Sequence, residues 1–125
     1  MYTNKVMQHF RHPKNMGSIK SADAIGTAGN PVCGDVMKIY IKVKNDRIKE
    51  IKFETLCCPA AIATTSVLTT LVKSKTLDFA KKVSKQDIVD ALGGLPPVKL
   101  HCSNLATEAL KAAINNLRKG PKKAL

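Results

Sequence analysis

The sequence predicts an α+β domain in which helices pack on one face of a small antiparallel sheet of about three strands. Segment 37–44 alternates apolar and polar residues with a period of two, and in segment 48–56 Ile51 and Phe53 alternate with Lys52 and Glu54, a pattern typical of half-buried strands. The residues that follow them have apolar side chains at helical spacing. Strands that precede a run of helices favour an α+β fold over an alternating α/β fold.

A short helix is predicted over residues 4–11. Three side chains form its apolar side: Val6, Met7 and Phe10. Pro13 ends this helix, because the residue before a proline avoids helical backbone angles. We expect His9 and His12, at the end of the helix and just beyond it, to be solvated.

The segment 17–31 is rich in small and turn-forming residues, with a short strand around Ile25. A hairpin follows, formed by strands 37–44 and 48–56 and closed by a turn at Asn45-Asp46. The residues that we expect on the buried side of its strands are Met37, Ile39, Ile41, Val43, Ile51 and Phe53.

Four helices are expected after the hairpin. The first begins near Pro59, which suits an opening helical turn, but its many threonines mean that tertiary packing must stabilise it. A short helix follows residue 75, and another starts at Ser84 with Asp87 and stops at Gly93. The last helix begins around Cys102-Ser103 and carries the apolar stripe Leu105, Ala106, Ala109, Leu110, Ala113, Ile114 and Leu117.

Length and composition indicate one domain. The chain has 125 residues, of which 44% are hydrophobic, enough for one modest core. We expect residues 1–119 to form this domain and residues 120–125 to be a flexible basic tail. The chain lacks the run of about 18 apolar residues that a membrane span requires, so no membrane association is expected.

The charge favours acidic partners. Lys and Arg number 21 against 9 Asp and Glu, for a formal net charge of +12. The basic residues are spread along the chain, and two Tyr, three Phe and no Trp offer little stacking surface, which disfavours a nucleic-acid binder. Docking onto an acidic enzyme surface is the function that this charge best suits.

The four cysteines indicate ligands or nucleophiles. A reducing compartment, the cytoplasm or an equivalent, is the expected location, and thiols there are seldom paired in disulfides. Adjacent Cys57 and Cys58 are also poor disulfide partners.

The predicted elements place three thiols at element ends. Cys33 lies with Asp35 in a loop before a strand, Cys58 lies at a strand-to-helix junction, and Cys102 lies near a helix N-terminus beside His101. Helix N-termini favour thiolate over thiol, so this pattern suits a soft-metal or iron–sulfur site. A single cysteine is more often a small buried hydrophobe, and His101 could be a capping residue, so the three cysteines together carry the prediction.

These motifs resemble the iron–sulfur cluster assembly scaffold family of IscU and the N-terminal domain of NifU. The residues that carry the resemblance are Gly29, Pro31, Cys33-Gly34-Asp35-Val36-Met37-Lys38, Cys58 with Ala61-Ile62-Ala63 and Ser66, and Leu95-Pro96-Pro97-Val98-Lys99 followed by His101-Cys102-Ser103. The similarity covers residues 2–118. It implies an IscU-like fold and a scaffold or carrier rather than an enzyme.

The resemblance also implies a function and its residues. Such a scaffold builds a [2Fe–2S] cluster from iron and persulfide sulfur and transfers it to apo-proteins. By position, the metal ligands are Cys33, Asp35, Cys58 and Cys102, with His101 as the alternative to Asp35 and Lys99 as a nearby group. Cys102 is the preferred persulfide acceptor.

The partners that the resemblance implies are a cysteine desulfurase, an electron donor, acceptor apo-proteins and an Hsp70-type chaperone. The chaperone would bind Leu95, Pro96, Pro97, Val98 and Lys99, for which a plain extended connector is the other interpretation. Both a monomer and a homodimer are compatible with the sequence.

The chain departs from the family pattern at Cys57, where glycine is usual, and at Pro59-Ala60, where Gly-Ser is usual. Cys57 could replace Cys58 as a ligand, hold persulfide sulfur in transit, or be inert and buried. Two other functions stay open: a SufU-type sulfur-transfer protein that holds Zn²⁺ with the same ligands, and a basic nucleic-acid binder with a structural metal. Zn²⁺ is also an expected occupant of the cluster-free scaffold.

Overall fold

The computed structural model describes residues 3–30, 35–55, 59–94 and 100–118, with side-chain environments for all of these except residues 30, 35, 59, 60, 100–103 and 118. The elements are α1 (Asn4–Arg11), β1 (Ala24–Asn30), β2 (Asp35–Lys44), β3 (Arg47–Thr55), α2 (Pro59–Val72), α3 (Leu77–Lys82), α4 (Lys85–Leu92) and α5 (Leu100–Arg118). The three described strands form one antiparallel sheet in the order β1-β2-β3. The predicted α+β class is confirmed.

The hairpin of β2 and β3 is closed by a tight turn. Asn45 and Asp46 both have positive φ, 54° and 65°, as the turn type with the twist of a two-residue hairpin requires. One irregularity, between Lys42 and Val43, was not predicted. It is a β-bulge, in which β3 has one residue more than β2. The extra residue allows both Ile48 and Ile51 to be buried on the same face of the sheet.

Strand β1 is longer than the short strand predicted around Ile25. It pairs with β2 from Ala24, opposite Ile41, to Asn30, opposite Asp35. Gly26 lets the main chain of α5 touch this strand: a Cβ built there would lie 2.0 Å from the Ala109 carbonyl oxygen. The sequence signal was weak because small residues have little intrinsic strand preference, and the strand depends on pairing and on this contact.

The core lies between the sheet and the helices. Helices α2 and α5 pack together on the inner face of the sheet, and α1 packs on α2. The inner face consists of side chains with no exposed surface: Met37, Ile39, Ile41, Ile51 and Phe53. The predicted one-sided arrangement is therefore correct for the described helices that contact the sheet.

Helix α2 is stabilised by its surroundings, as its threonine content predicts. Thr64, Thr65 and Thr69 are fully buried. Each bonds its hydroxyl to a carbonyl oxygen one turn back; for example, Thr65 donates to Ala61 at 2.8 Å. These bonds satisfy the hydroxyls without water, so the helix can be buried on several sides.

The helix ends follow local sequence signals closely. Ser84 and Asp87 form the predicted capping box of α4, and Gly93 ends that helix in the left-handed conformation at φ 79°. Helix α5 starts at Leu100, two to three residues before the start predicted around Cys102-Ser103, where Ser103 is a residue typical of N-caps. Within the described residues no helix is both long and apolar enough to cross a membrane. Residues 120–125 lie outside the described part, so the flexible tail and its boundary at residue 119 stay predictions.

A segment before the sheet covers part of the free edge of β3. The Phe53 amide donates to the Asn15 carbonyl at 3.0 Å, and the Gly17 amide donates to the Phe53 carbonyl at 2.8 Å. Residues 15–17 thus act as a short parallel edge, which protects β3 from pairing with other chains. No period-two pattern in residues 15–17 predicts this pairing.

Candidate functional site

The described flanks of two cysteine segments lie at one end of the sheet. Asn30 and Asp35 are paired, so segment 31–34, with Cys33, connects β1 to β2 at this end. Strand β3 ends here too, because its last residue, Thr55, lies opposite Met37 near the start of β2. Segment 56–58, with Cys57 and Cys58, leaves the sheet from that point. We call this end of the sheet the cysteine end.

Helix α2 begins at the cysteine end and runs back along the sheet. Pro59, its first residue, directly follows Cys58. Just past the other end of the helix, the Ser74 amide donates to the carbonyl of Ile48, near the start of β3, at 2.8 Å. The N-terminus of α2, with its free amides and partial positive charge, therefore faces the end of the sheet at which β3 ends.

Helix α5 reaches the same end because it runs antiparallel to β1. Near its C-terminus, Asn116 Nδ2 donates to the Ile25 carbonyl at 2.7 Å, and one to two turns earlier Ala113 and Ala109 contact Gly26. From Gly26 to Asn30 the strand advances about 13 Å, a length that about nine helical residues span. The first turn of α5, which contains Cys102, is thereby directed to the cysteine end.

The predicted ligands lie outside the described part of the chain or are described as backbone only. Residues 31–34, 56–58 and 95–99 lie outside the described part. Those three segments contain Cys33, Cys57, Cys58 and the proposed chaperone motif Leu95–Lys99. Asp35, His101 and Cys102 are described as backbone only. Among the described side chains no group of three His, Cys, Asp or Glu residues could hold a metal ion. The ligand assignments therefore stay predictions.

A cavity of about 540 Å³ opens beside the cysteine end, on the outer face of the sheet. Its lining is Met16, Gly17, Val36, Lys38, Glu54 and Thr55. Next to it Tyr40 donates its hydroxyl to Glu54, and this bond raises the pKa of Tyr40. The sequence prediction did not identify this surface, although the opposed pair Lys38 and Glu54, which face each other in the register, could have indicated it.

The expectation that His9 is solvated was wrong, whereas His12 is exposed as predicted. His9 is half-buried and its Nδ1 lies 2.8 Å from Ser66 Oγ on α2. The same oxygen accepts the Lys14 amide at 2.8 Å. Burial, with a contribution from the Lys14 charge, lowers the pKa of His9. Helix α1 packs on α2, and this contact half-buries His9. Helical periodicity alone cannot predict such a contact between helices.

The fold and the order of the cysteine segments match one known class of protein. The chain belongs to the NifU-like N terminal domain family, whose model matches residues 1–124.

One relative is the iron–sulfur cluster assembly scaffold protein IscU 1 of Archaeoglobus fulgidus, which is 56% identical over 114 residues, covering 91% of this chain and 74% of that protein. Two solved structures show the same fold. A nitrogen-fixing NifU-like protein (N-terminal) from Brucella abortus superimposes with a TM-score of 0.73 at 16% identity over 95% of each chain. A candidate scaffold of the SUF system from Fervidobacterium islandicum gives 0.69 at 23% identity over 90% of this chain and 96% of that one.

Proposed function

We propose that this protein is a scaffold on which [2Fe–2S] clusters are assembled and from which they are transferred to apo-proteins. The observation that carries the proposal is that the described flanks of segments 31–34 and 56–58 and the first turn of α5 share the cysteine end of the sheet. Family membership and the scaffold relative support the same function.

The proposed ligand side chains suit an iron–sulfur cluster that must be released again. Three thiolates, from Cys33, Cys58 and Cys102, bind iron and are the ligands typical of iron–sulfur clusters. Asp35 supplies a harder oxygen ligand, with His101 as the alternative, and a harder ligand leaves one iron easier to release. A scaffold needs such a labile position because it must give its cargo away.

Cys102 is the proposed persulfide acceptor. It is the third residue of α5, where amide groups without helical partners and the helix dipole favour thiolate. Thiolate of Cys102 attacks the outer sulfur of the desulfurase persulfide, and the desulfurase thiolate leaves. The bound sulfur must then gain two electrons to become sulfide, so an electron donor is a required partner.

Partner binding completes the proposal. A cysteine desulfurase supplies sulfur, apo-proteins accept the cluster, and an Hsp70-type chaperone binds segment Leu95–Lys99. The net charge of +12 favours acidic surfaces on these partners. The chemistry requires reduced thiols, so we place the protein in the cytoplasm or an equivalent reducing compartment. Cys57 is assigned no ligand role.

The test is anaerobic reconstitution of the wild-type protein with Fe²⁺, cysteine and a cysteine desulfurase, followed by absorption and Mössbauer spectra and by transfer to an apo-ferredoxin. We expect a [2Fe–2S] spectrum and activation of the acceptor. A protein that takes up neither iron nor sulfide would refute the scaffold function.

The second candidate is a SufU-type sulfur-transfer protein that holds Zn²⁺ with Cys33, Asp35, Cys58 and Cys102. A SUF-system protein shares this fold, and tetrahedral zinc accepts the same donors. Desulfurase activity that rises in proportion to bound zinc, with no cluster formed, would select this function instead. Zinc content alone does not decide, because a cluster-free scaffold binds it too.

A further inference from the structure

Two segments of the chain that pack together contain basic side chains but no acidic ones. Residues 1–22, which include α1, and residues 59–77, which include α2, contain no Asp or Glu. The same segments contain six Lys or Arg residues: Lys5, Arg11, Lys14, Lys20, Lys73 and Lys75. Since α1 packs on α2, these two segments form one continuous part of the structure. Neither segment supplies a carboxylate of its own to compensate these charges.

A cavity of about 360 Å³ lies within this region, at the end of α1. The described residues that line it are Gln8, His9, His12 and Lys14, all of them potential hydrogen-bond donors. It lies apart from the cysteine end: Ser66, the α2 residue that contacts its wall, is seven residues from the start of that helix, about 10 Å along the axis.

Two hydrogen bonds to Ser66 hold His9 and Lys14 at the wall of the cavity. Ser66 Oγ accepts the Lys14 amide and lies 2.8 Å from Nδ1 of His9, to which its hydroxyl can donate when that nitrogen carries no proton. A neutral His9 that accepts at Nδ1 carries its proton on Nε2, which leaves one N–H to donate. The Lys14 ammonium adds a full positive charge, and the backbone of Lys14 is already held by the hydrogen bond from its amide to Ser66.

We propose that this cavity is an oxyanion-binding site that takes a carboxylate or phosphate group. Charge-assisted hydrogen bonds from Lys14 and from imidazole N–H groups hold the anion, and Gln8 adds a neutral amide donor. The anion replaces the counter-charge that the surrounding sequence lacks. Because His9 and Lys14 both bond to Ser66, a bound anion would also tighten the contact between α1 and α2.

The experiment measures binding by NMR and thermal unfolding of the full chain. Inorganic phosphate and a glutamate-rich peptide are titrated separately, each against sodium chloride at equal ionic strength. We expect an anion to shift the His9 imidazole resonances, to raise the pKa of His9 and to raise the melting temperature. A response to phosphate assigns a small anion, and a response to the peptide assigns a partner's carboxylate; either supports the site.

Two charge-matched variants decide whether the effect belongs to the cavity. Lys14→Gln keeps the backbone bond to Ser66 and should raise the dissociation constant about tenfold, as expected for one lost charge-assisted bond. Lys5→Gln removes an equal charge from α1 outside the cavity and should bind like the wild type. This pair also controls for the general stabilisation that phosphate gives proteins. Equal weakening in both variants, or no response beyond that to chloride, would overturn the proposal.

Discussion

Met37 lies directly opposite Thr55 across strands β2 and β3. Cys33 precedes Met37 by four residues and Cys58 follows Thr55 by three. The length of these short segments limits how far either cysteine can lie from the Met37–Thr55 pair. At full extension four residues span about 14 Å. The hairpin register therefore brings the described flanks of two cysteine segments to the same end of the sheet.

Gly26→Ala should weaken the docking of α5 on β1. The new Cβ would lie 2.0 Å from the Ala109 carbonyl oxygen and 2.3 Å from the Ala113 amide nitrogen, and backbone cannot move away cheaply. We expect a loss of about 2 kcal/mol in the free energy of unfolding, measured by urea titration. Thr27→Ala, at an exposed position of the same strand, should change stability by about 0.5 kcal/mol at most. Equal stability of Gly26→Ala and wild type would show that the helix does not contact the strand so closely.

His9 should make stability depend on pH. Its pKa in the folded protein lies below the ordinary 6.5, so the unfolded chain binds a proton first as the pH falls. Stability is then full above pH 6.5, declines as the pH falls toward the lowered folded pKa, and levels off below it. Urea unfolding in a phosphate-free buffer at several pH values measures this decline.

The histidine variants identify its source. His9→Gln, which removes the titrating group, should flatten the decline, whereas His12→Gln, at an exposed residue, should keep it. If the decline is as steep in His9→Gln as in the wild type, another group causes it.

Asp35→Ala should produce a cluster that persists longer and transfers more slowly. The carboxylate is the harder ligand of the proposed set, so its loss removes the position from which iron leaves most easily. The measurement is the half-life of the visible absorption and the rate at which an apo-ferredoxin becomes active. Faster cluster loss in this variant would count against lability as the role of Asp35.

Much of the fold could be predicted because local signals and tertiary packing agree. The predicted bounds of α1 match the structure, Pro59 opens α2, and Asp87 with Ser84 begins α4. Each of these rests on a residue whose chemistry acts within one turn of chain. The inward side of β2 and of residues 51–53 in β3 could also be predicted, since a period of two places alternate residues on one face.

What the sequence did not predict depends on contacts between distant segments. The full length of β1 follows from pairing with β2 and from the close approach of α5 at Gly26. The burial of His9 follows from Ser66, 57 residues away. For the candidate site, the thiols could be chosen from their motifs, but only the sheet register and the direction of α5 place their flanking residues together.

The central claim is tested most directly by the amounts of iron and sulfide bound per protein after anaerobic reconstitution. The single variants to compare are Cys33→Ser, Cys57→Ser, Cys58→Ser and Cys102→Ser. Because the flanks of the three proposed ligands share one end of the sheet, we predict that Cys33→Ser, Cys58→Ser and Cys102→Ser each lose most of the cluster. Cys57→Ser, the matched control one residue from Cys58, should keep it. Full cluster yield in any of the first three variants, or its loss in Cys57→Ser alone, would contradict the proposed site.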